Sequence, residues 1–234
     1  MREILFIDKP KDMTSHDVVA LVRRSLKGLG GDYEKLKVGH AGTLDPLASG
    51  LLILGIGAGT KRLDWFLKLE KRYTVEIKIG ESRTTGDMEG DIVEVKEVTK
   101  LKKEVVKQVL WDLQGTVNLS VPKYSAVKVD GKALYKKARA GEDFEPPRRD
   151  MRIYQGKLLF FRRDLGENVI TVRLEVASGV YIRSIVEEIG RRLGYPAVTM
   201  NLRRTKIGRY VVRDAWSIED VKDTTRLKEF LDRK

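Results

Sequence analysis

Residues 39–50 read Gly39-His-Ala-Gly-Thr-Leu-Asp-Pro-Leu-Ala-Ser-Gly50, a glycine-rich stretch around a single Asp-Pro pair. Glycine lets the backbone come close to a ligand, and the proline restricts Asp45 to an extended conformation. A carboxylate in this setting is held in a fixed geometry, as catalysis requires. An aspartate that only caps a turn or a helix also fits the pattern, and on composition alone that structural role is the favoured one.

Two predicted strands flank this stretch. Leu36 to Val38 is a short strand before it and Leu51 to Leu54 is a buried strand after it, so a loop between strands carries Asp45. Upstream, residues 3–7 are predicted to form a strand. Thr14-Ser-His-Asp17 then has the form of a capping box, which predicts the start of a helix.

The rest of the chain mixes helical and strand patterns. Alternate apolar positions from Tyr73 to Ile79 predict a half-buried strand with Tyr73 on its apolar face. The other predicted helices cover Thr60–Leu69, the residues from Thr99, Lys132–Ala140, Tyr181–Leu193 and the residues from Ser217; the other strands cover Val93–Val95, Tyr124–Val129, Arg152–Phe161, Val169–Val176 and Met200–Ile207. Because no regular βαβ rhythm appears, we predict an α+β fold with a central, mainly antiparallel mixed sheet flanked by helices and loops.

The charge balance points to a polyanionic partner. With 46 Lys and Arg against 34 Asp and Glu, the 234-residue chain has a formal net charge of +12. The basic excess is clustered at Arg148, Arg149 and Arg152, at Arg162 and Arg163, at Arg191 and Arg192, and at Arg203, Arg204 and Lys206. Nucleic acid is the first candidate partner and an anionic membrane surface the second, while a merely solvated basic surface stays open.

Several classes of site are excluded by the residue types that the chain lacks. It has no cysteine for disulfides or thiolate zinc sites, and His16 and His40 are too few for an imidazole metal cluster. Gly55 to Lys61 fits neither the Walker spacing nor the dinucleotide fingerprint. We therefore expect neither metal nor cofactor. The short N-terminal apolar run and the lack of a membrane-spanning stretch predict a cytoplasmic protein.

Other short blocks accompany the Asp45 loop in a fixed order. They are Asp8-Lys-Pro10 with Thr14-Ser15, Gly59-Thr-Lys61, Lys71-Arg-Tyr73, Tyr124-Ser-Ala-Val-Lys128, Gly131-Lys with Tyr135 and Ala138-Arg139, Ser178-Gly-Val-Tyr-Ile-Arg-Ser184, and Leu202-Arg-Arg204. In this order and rough spacing, the blocks resemble the TruB family of pseudouridine synthases. The resemblance runs from Leu5 to about Ala215 and implies the pseudouridine synthase fold.

The resemblance implies roles for individual side chains. Asp45 matches the catalytic aspartate, and Arg183 matches the arginine that pairs with it, where an adjacent guanidinium would favour the charged carboxylate. Tyr73 matches a tyrosine that stacks on the target base and belongs with these two in the catalytic set. The matches to substrate-binding residues are His40, Tyr73, Tyr181 and Leu202. Without the resemblance, Arg183 would be a phosphate contact or a solvated helix residue, and the others would be core or loop side chains.

The resemblance also implies the reaction and the partner. These enzymes isomerise a uridine in the T loop of tRNA, at position 55, after flipping the base out of its stack. We expect the T arm of tRNA as partner, no cofactor, no membrane and a monomer. Residues 1–234 would form one catalytic domain with a basic, RNA-gripping flap around residues 128–152. Ala41 stands where a threonine is often found, and we expect no separate PUA domain.

Three other functions stay open. A guide-RNA-dependent synthase acting on rRNA is the nearest, although we expect no added RNA- or protein-binding tail, which favours the free enzyme. An RNA-binding chaperone without catalysis would use only the basic surface, and the presence of Asp45, Tyr73 and Arg183 argues against it. A membrane-surface protein would need a stronger basic amphipathic helix than any that the sequence predicts.

Overall fold

The structure, a computed structural model, describes residues 3–129, 131–164 and 167–233. Its strands are β1 (Ile4–Lys9), β2 (Val38–His40), β3 (Ala48–Ile56), β4 (Lys71–Ile79), β5 (Glu81–Arg83), β6 (Ile92–Val95), β7 (Gly115–Ser120), β8 (Lys128–Val129), β9 (Lys132–Ala133), β10 (Arg148–Asp164), β11 (Glu167–Val176), β12 (Ala197–Ile207) and β13 (Tyr210–Val211). Its α-helices are α1 (Ser15–Leu29), α2 (Leu63–Lys68), α3 (Lys103–Asp112), α4 (Leu134–Arg139), α5 (Ile182–Leu193), α6 (Ile218–Lys222) and α7 (Thr224–Asp232). The chain divides into unit 1, Met1–Tyr73 with Leu202–Lys234, and unit 2, Thr74–Asn201.

The sheet of unit 1 is built around β3. Strands β1 and β2 pair with β3 antiparallel, whereas β12 pairs with it parallel through Leu202 and Ala48. Every residue of β3 is buried, because helices cover both of its faces. Leu52 and Leu54 share a core with α1 and α7, while Leu51 and Ile53 pack with Leu63 and Phe66 of α2. The Asp45 loop leads directly into this doubly covered strand.

Gly50 explains how closely β3 and β12 approach each other. Its φ is +107°, a conformation that side chains rarely adopt, and a Cβ atom there would collide with the backbone of Arg204. The glycine of the sequence stretch therefore serves strand packing. It brings Arg204 to the start of β3.

Two helices of unit 1 begin as the sequence predicts. The side chain of Thr14 accepts a hydrogen bond from the Asp17 amide, and the Asp17 carboxylate accepts one from the Thr14 amide, so the capping box at α1 is confirmed. Ser217 and Asp220 form the same reciprocal pair at the start of α6.

Unit 2 contains a long antiparallel hairpin. Strands β10 and β11 pair through two register shifts, and β7 pairs with the first part of β10. Helix α3 packs against β10, and α5 buries the stripe Ile182, Ile185, Val186 and Ile189. Strands β5 and β6 form a separate two-stranded sheet, as do β8 and β9. The α+β class with a mixed, mainly antiparallel sheet is confirmed.

Some sequence-based boundaries are wrong. The predicted strand Tyr124–Val129 is a strand only at Lys128–Val129, and the residues before it form bends. The predicted helix Thr60–Leu69 is α-helical only from Leu63, after a 3₁₀ turn, and the helix predicted from Thr99 begins at Lys103. Strand β7 was not predicted. Asp130, within the predicted flap, lies outside the described residues.

None of the helices described here is both long enough and apolar enough to cross a lipid bilayer.

Candidate active site

The Asp45 loop of unit 1 runs from the end of β2 to the start of β3. The Ala48 amide donates a hydrogen bond to the Asp45 carbonyl over 3.0 Å, so Asp45 opens a tight turn with Pro46 in its second position. The Asp45 side chain is half-buried. The residue therefore has the turn-forming role that composition favours, and the same turn fixes the direction in which its carboxylate leaves the backbone.

Helix α1 holds the loop through one hydroxyl group. The Leu44 amide donates to Ser15 Oγ over 2.8 Å, and Ser15 Oγ lies 3.1 Å from the Leu44 carbonyl, to which it donates. The Asp12 amide donates to the Pro46 carbonyl over 3.0 Å. Because Ser15 is buried, these bonds are shielded from water, so the loop is fixed on both sides of Asp45.

Two buried cationic side chains donate hydrogen bonds to backbone carbonyls of the same loop and of its neighbours. Arg204 is 1% exposed, and its guanidinium donates to the carbonyls of Leu51 over 2.7 Å, Gly42 over 3.0 Å and Thr43 over 3.4 Å. Lys9 is fully buried, and its ammonium donates to the Met13 carbonyl over 2.5 Å, with Pro10 and Pro46 as further acceptors. Both side chains therefore place positive charge beneath a loop that carries a carboxylate.

This burial corrects the sequence analysis at one position. Arg204 was grouped with Arg203 and Lys206 as part of a basic surface, but its side chain lies inside unit 1. Arg203 is 40% exposed and forms a two-pronged ion pair with Asp8, at 3.0 and 2.7 Å. Alternation along β12 separates the two arginines, because neighbouring residues of a strand point to opposite faces.

We expect Arg204→Met to destabilise the protein by about 3 kcal/mol, because it leaves buried carbonyl groups of the loop and of β3 without donors. The measurement is urea unfolding. Arg203→Met, at the adjacent position, is the matched control, and its loss should stay below about 1 kcal/mol because its ion pair is partly exposed. Equal losses in the two variants would contradict the assigned role of Arg204.

Three further predicted site residues lie in unit 1. Tyr73 on β4 and Leu202 on β12 are both buried, and Leu202 lies opposite Ala48, just after the Asp45 turn. His40 ends β2, and burial is the main cause that lowers its pKa, with Arg204 and His16 adding to the effect. Its Nδ1 atom has no hydrogen-bond partner among the residues that the structure describes. His40 is therefore a neutral imidazole at pH 7.

Lys71 adds another buried cation to unit 1. Burial, together with the charge of Arg204, lowers its pKa to about 8. Its ammonium donates to the carbonyls of Leu67 and Leu69, which lie at the end of α2. Cations are favourable at the C-terminal end of a helix, so Lys71 fixes the approach of the chain to Tyr73.

Arg183 and Tyr181 lie in unit 2, at the start of α5. Tyr181 is the N-cap residue, and Arg183 is buried in the first turn. The Arg183 guanidinium donates to the Thr85 carbonyl over 2.8 Å and to the Tyr124 carbonyl over 2.9 Å. The Asp87 carboxylate lies 3.7 Å from it. The Thr85 and Tyr124 carbonyls and the Asp87 carboxylate thus fix the plane of the guanidinium. Its pairing with Asp45 of unit 1 stays a prediction.

Asp87 is a candidate site residue that the sequence analysis did not identify. It is 2% exposed, and its carboxylate accepts hydrogen bonds from Thr85 Oγ1 over 2.5 Å and from the Glu89 amide over 3.1 Å. The signal was present in Thr84-Thr-Gly-Asp87, since threonine and glycine beside an aspartate predict a structured turn.

The residues that the structure describes contain no group of three or more His, Asp or Glu side chains arranged to hold a metal ion. In unit 1 the loop that carries the Asp45 carboxylate is held by Lys9 and Arg204. In unit 2 Arg183 lies beside Asp87.

Comparison with known proteins identifies the family. Residues 31–182 match the N-terminal domain of the TruB family of pseudouridylate synthases. The tRNA pseudouridine synthase B of Corynebacterium efficiens is 37% identical over 229 residues, which are 98% of this chain and 75% of that protein. The enzyme of the same name from Geobacillus thermodenitrificans is 39% identical over 224 residues, or 94% of this chain and 72% of that protein.

Solved structures share the fold at lower identity. A Cbf5–Nop10–Gar1 complex matches 99% of this chain at 24% identity with a TM-score of 0.72. An H/ACA RNP bound to a substrate RNA that contains 2′-deoxyuridine matches 99% at 22% identity with a TM-score of 0.69. The chain spans little more than half of these two solved chains, 57% and 56% of their lengths. The match to the family's N-terminal domain and the similarity to the curated enzymes over nearly the full chain show that the chain belongs to the TruB family of pseudouridylate synthases.

Proposed function

We propose that this chain isomerises the uridine at position 55, in the T loop of tRNA, to pseudouridine, with Asp45 as its catalytic carboxylate. Family membership and two relatives named tRNA pseudouridine synthase B support the reaction and the substrate. The observation that carries the assignment of Asp45 is its loop, in which Ser15, Lys9 and Arg204 hold the backbone on both sides of the carboxylate.

The reaction balances within one nucleotide. The bond between N1 of uracil and C1′ of the ribose breaks, the base turns, and C5 bonds to C1′; C5 then loses its proton and N1 gains one. Asp45 could attack C1′, as the nucleophile of a retaining glycosidase does, or remove a ribose proton to give a glycal. Either route needs one ionised carboxylate in a fixed position, which the Asp45 turn would supply.

The target base must leave its stack before Asp45 can reach the ribose, which costs a few kcal/mol. We propose that Tyr73 and Tyr181 pack on the flipped base, that Leu202 closes the pocket, and that His40 occupies the vacated place in the T loop. His40 would do so as a neutral imidazole, because burial lowers its pKa. Buried Tyr73 and Leu202 already lie on fixed strands, which limits the entropy lost on binding.

We assign Arg183 to the Asp45 carboxylate as its charged partner, with Tyr73 completing the catalytic set. Two carbonyl acceptors and Asp87 hold the guanidinium, so it would meet the carboxylate with little reorganisation. Asp87 is then a positioning residue, because it would act through Arg183. We further propose that the chain acts in the cytoplasm as a monomer on the T arm, without a cofactor.

The direct test is to incubate the chain with an unmodified tRNA transcript, without any other RNA or protein, and to map pseudouridine. We expect a single product at position 55 and none in a transcript with cytidine there. Product that forms only when a guide RNA is added would support the guide-RNA-dependent alternative. Tight binding without product would support the chaperone alternative.

The predicted flap, residues 128–152, is proposed to close over the T loop. It contains the small β8–β9 hairpin and helix α4, whose last turn carries Lys136, Lys137 and Arg139. Gly141 follows the helix with a positive φ of +68°, and a Cβ there would meet no neighbouring atom within 4 Å, as suits a segment that moves. The basic turn would then contact phosphates when substrate arrives.

Changing Lys136, Lys137 and Arg139 to glutamine should weaken tRNA binding about tenfold, because fewer counterions would be released from the phosphates. The slope of log affinity against log salt concentration should also become less steep by about two. The matched control changes three exposed lysines of the same unit to glutamine, namely Lys102, the N-cap residue of α3, and Lys103 and Lys107 within α3. If the control variant loses as much affinity as the flap variant, the flap has no particular contact with RNA.

A further inference from the structure

The hairpin of unit 2 has one face that its helices leave open. Pairing places Arg152 of β10 opposite Thr116 of β7, and Lys157 and Phe160 of β10 opposite Arg173 and Thr171 of β11. Paired residues of an antiparallel sheet point to the same side. We call this side of β7, β10 and β11 the outer face, and Arg152, Lys157, Phe160 and Arg173 are among its side chains.

The opposite, inner face is the one that packs against the core. Ile153, Gly156, Leu158 and Phe161 lie on it, and each pairs with a buried apolar residue of β11. The backbone of helix α3 comes so close that a Cβ atom on Gly156 would lie 3.1 Å from the Leu110 carbonyl oxygen. The two register shifts of β10, at Tyr154 and Leu159, each insert one residue, so the outer side chains keep pointing away from α3.

Exposed aromatic rings lie along this hairpin. Phe160, on the outer face, is 72% exposed, and Tyr154, in the first register shift, is 48% exposed. A phenylalanine on a sheet would normally be buried, since burying its side chain is favourable by about 2 kcal/mol. An aromatic ring presented on an open sheet is a surface on which an unpaired base can stack.

The charge of the outer face is positive. Five basic side chains lie on it, namely Arg148, Arg152, Lys157, Arg162 and Arg173. Two acidic side chains, Asp150 and Glu175, lie among them, and Asp150 accepts a hydrogen bond from Asn118 on the neighbouring strand. The excess of positive charge complements a polyanion.

We propose that the outer face of β7, β10 and β11 binds a single-stranded segment of RNA, at a site that does not involve the Asp45 loop. Cationic side chains would follow the phosphates while Phe160 stacks on a base, which is how proteins hold single strands without reading their sequence. An anionic lipid surface fits less well, because membrane binding increases with the apolar area inserted, and one exposed phenylalanine supplies little of it.

The probe is a fluorescent 12-nucleotide oligocytidylate, which contains no uridine and cannot be isomerised. We expect Lys157→Gln/Arg162→Gln/Arg173→Gln, three outer-face residues outside the flap, to weaken its binding about tenfold at moderate salt. The slope of log affinity against log salt concentration should become less steep by about two. Phe160→Ala should weaken binding about fivefold or more through lost stacking. A 12-base-pair RNA duplex, whose bases are already stacked, should respond to the triple variant but not to Phe160→Ala.

The matched control is Arg213→Gln/Lys222→Gln/Lys228→Gln, which removes three exposed positive charges from unit 1. It should bind oligocytidylate like the original chain. All variants should isomerise a T-arm hairpin at the original rate, so failure of the proposed activity is recognised separately.

Wild-type affinity of Phe160→Ala for oligocytidylate overturns the proposal, and so does a loss of affinity in the control variant equal to that in the triple variant. Loss of binding to phosphatidylserine vesicles in the triple variant, with oligocytidylate binding unchanged, would identify a lipid surface instead and overturn it too.

Discussion

Asp45→Asn should reduce pseudouridine formation at least about a thousandfold, as the loss of a catalytic nucleophile does in other enzymes, while tRNA still binds. Asparagine has almost the same shape as aspartate, so it preserves the turn in which the Ala48 amide donates to the residue 45 carbonyl. It carries no negative charge, so it can neither attack C1′ nor remove a ribose proton. Binding should persist because phosphate contacts supply most of the affinity for RNA.

The measurement is a single-turnover assay on a T-loop transcript, with the dissociation constant obtained in parallel. Asp64→Asn is the matched control, because Asp64 is an exposed carboxylate on α2 of the same unit. It should isomerise at the original rate. Turnover by Asp45→Asn within tenfold of the original chain would remove Asp45 from the catalytic role. A parallel loss of tRNA binding would show that the substitution disturbs the loop rather than the chemistry.

Local sequence patterns were sufficient to predict the strands and helix starts around the Asp45 loop. The Asp45 loop was expected between two strands, and it lies between β2 and β3. The capping boxes at Thr14 and Ser217 were readable because both partners of each box lie within four residues. Alternation along β4 was readable for the same reason, since one strand contains the whole pattern. Interactions of this kind need no knowledge of what packs against them.

The supports of the site depend on contacts between distant parts of the chain. Arg204 lies far along the chain from Gly42 and Thr43, whose carbonyls it binds, and beside Arg203 it has the appearance of a basic surface. Its burial follows from the parallel pairing of β12 with β3 and from the close approach at Gly50. Asp87 was missed likewise, because its partner Arg183 lies in a helix beyond the long hairpin. Pairings of this kind are fixed by topology, which residue types do not reveal.

Tyr124 illustrates a different failure of sequence reasoning. The run from Tyr124 to Val129 has the composition of a strand, and we predicted one. In the structure the Tyr124 carbonyl accepts a hydrogen bond from Arg183, and the Ser125 carbonyl accepts one from the Tyr135 amide. These two carbonyls are therefore not available for hydrogen bonds to a neighbouring strand. Tertiary contacts override the local preference for a strand.

The second large effect is expected at Arg183. Arg183→Lys should lower the rate of isomerisation about a hundredfold, because a lysine ammonium cannot replace the planar fork of a guanidinium. The guanidinium now reaches the Thr85 and Tyr124 carbonyls with separate nitrogens, at 2.8 and 2.9 Å, and Asp87 lies 3.7 Å away. A shorter, single-headed ammonium would leave at least one buried carbonyl without a donor, and the proposed pairing with Asp45 would lose its fixed plane.

Arg191→Lys is the matched control, since Arg191 lies on the same helix, is 71% exposed and pairs with Glu188. It should be fully active because the side chain is solvated and its ion pair contributes little. Unfolding measurements on Arg183→Lys distinguish a loss of catalytic rate from a loss of folded protein. A variant that is folded but slow supports the catalytic role of Arg183. A variant that recovers the full rate when it is cooled to a temperature at which it is folded has no catalytic defect.

Asp87→Asn tests how Asp87 contributes. If Asp87 acts by orienting Arg183, its loss should slow the original chain markedly but slow Arg183→Lys little further, because residues that act as one unit are not additive. Fully additive losses in the double variant would show instead that Asp87 and Arg183 contribute independently.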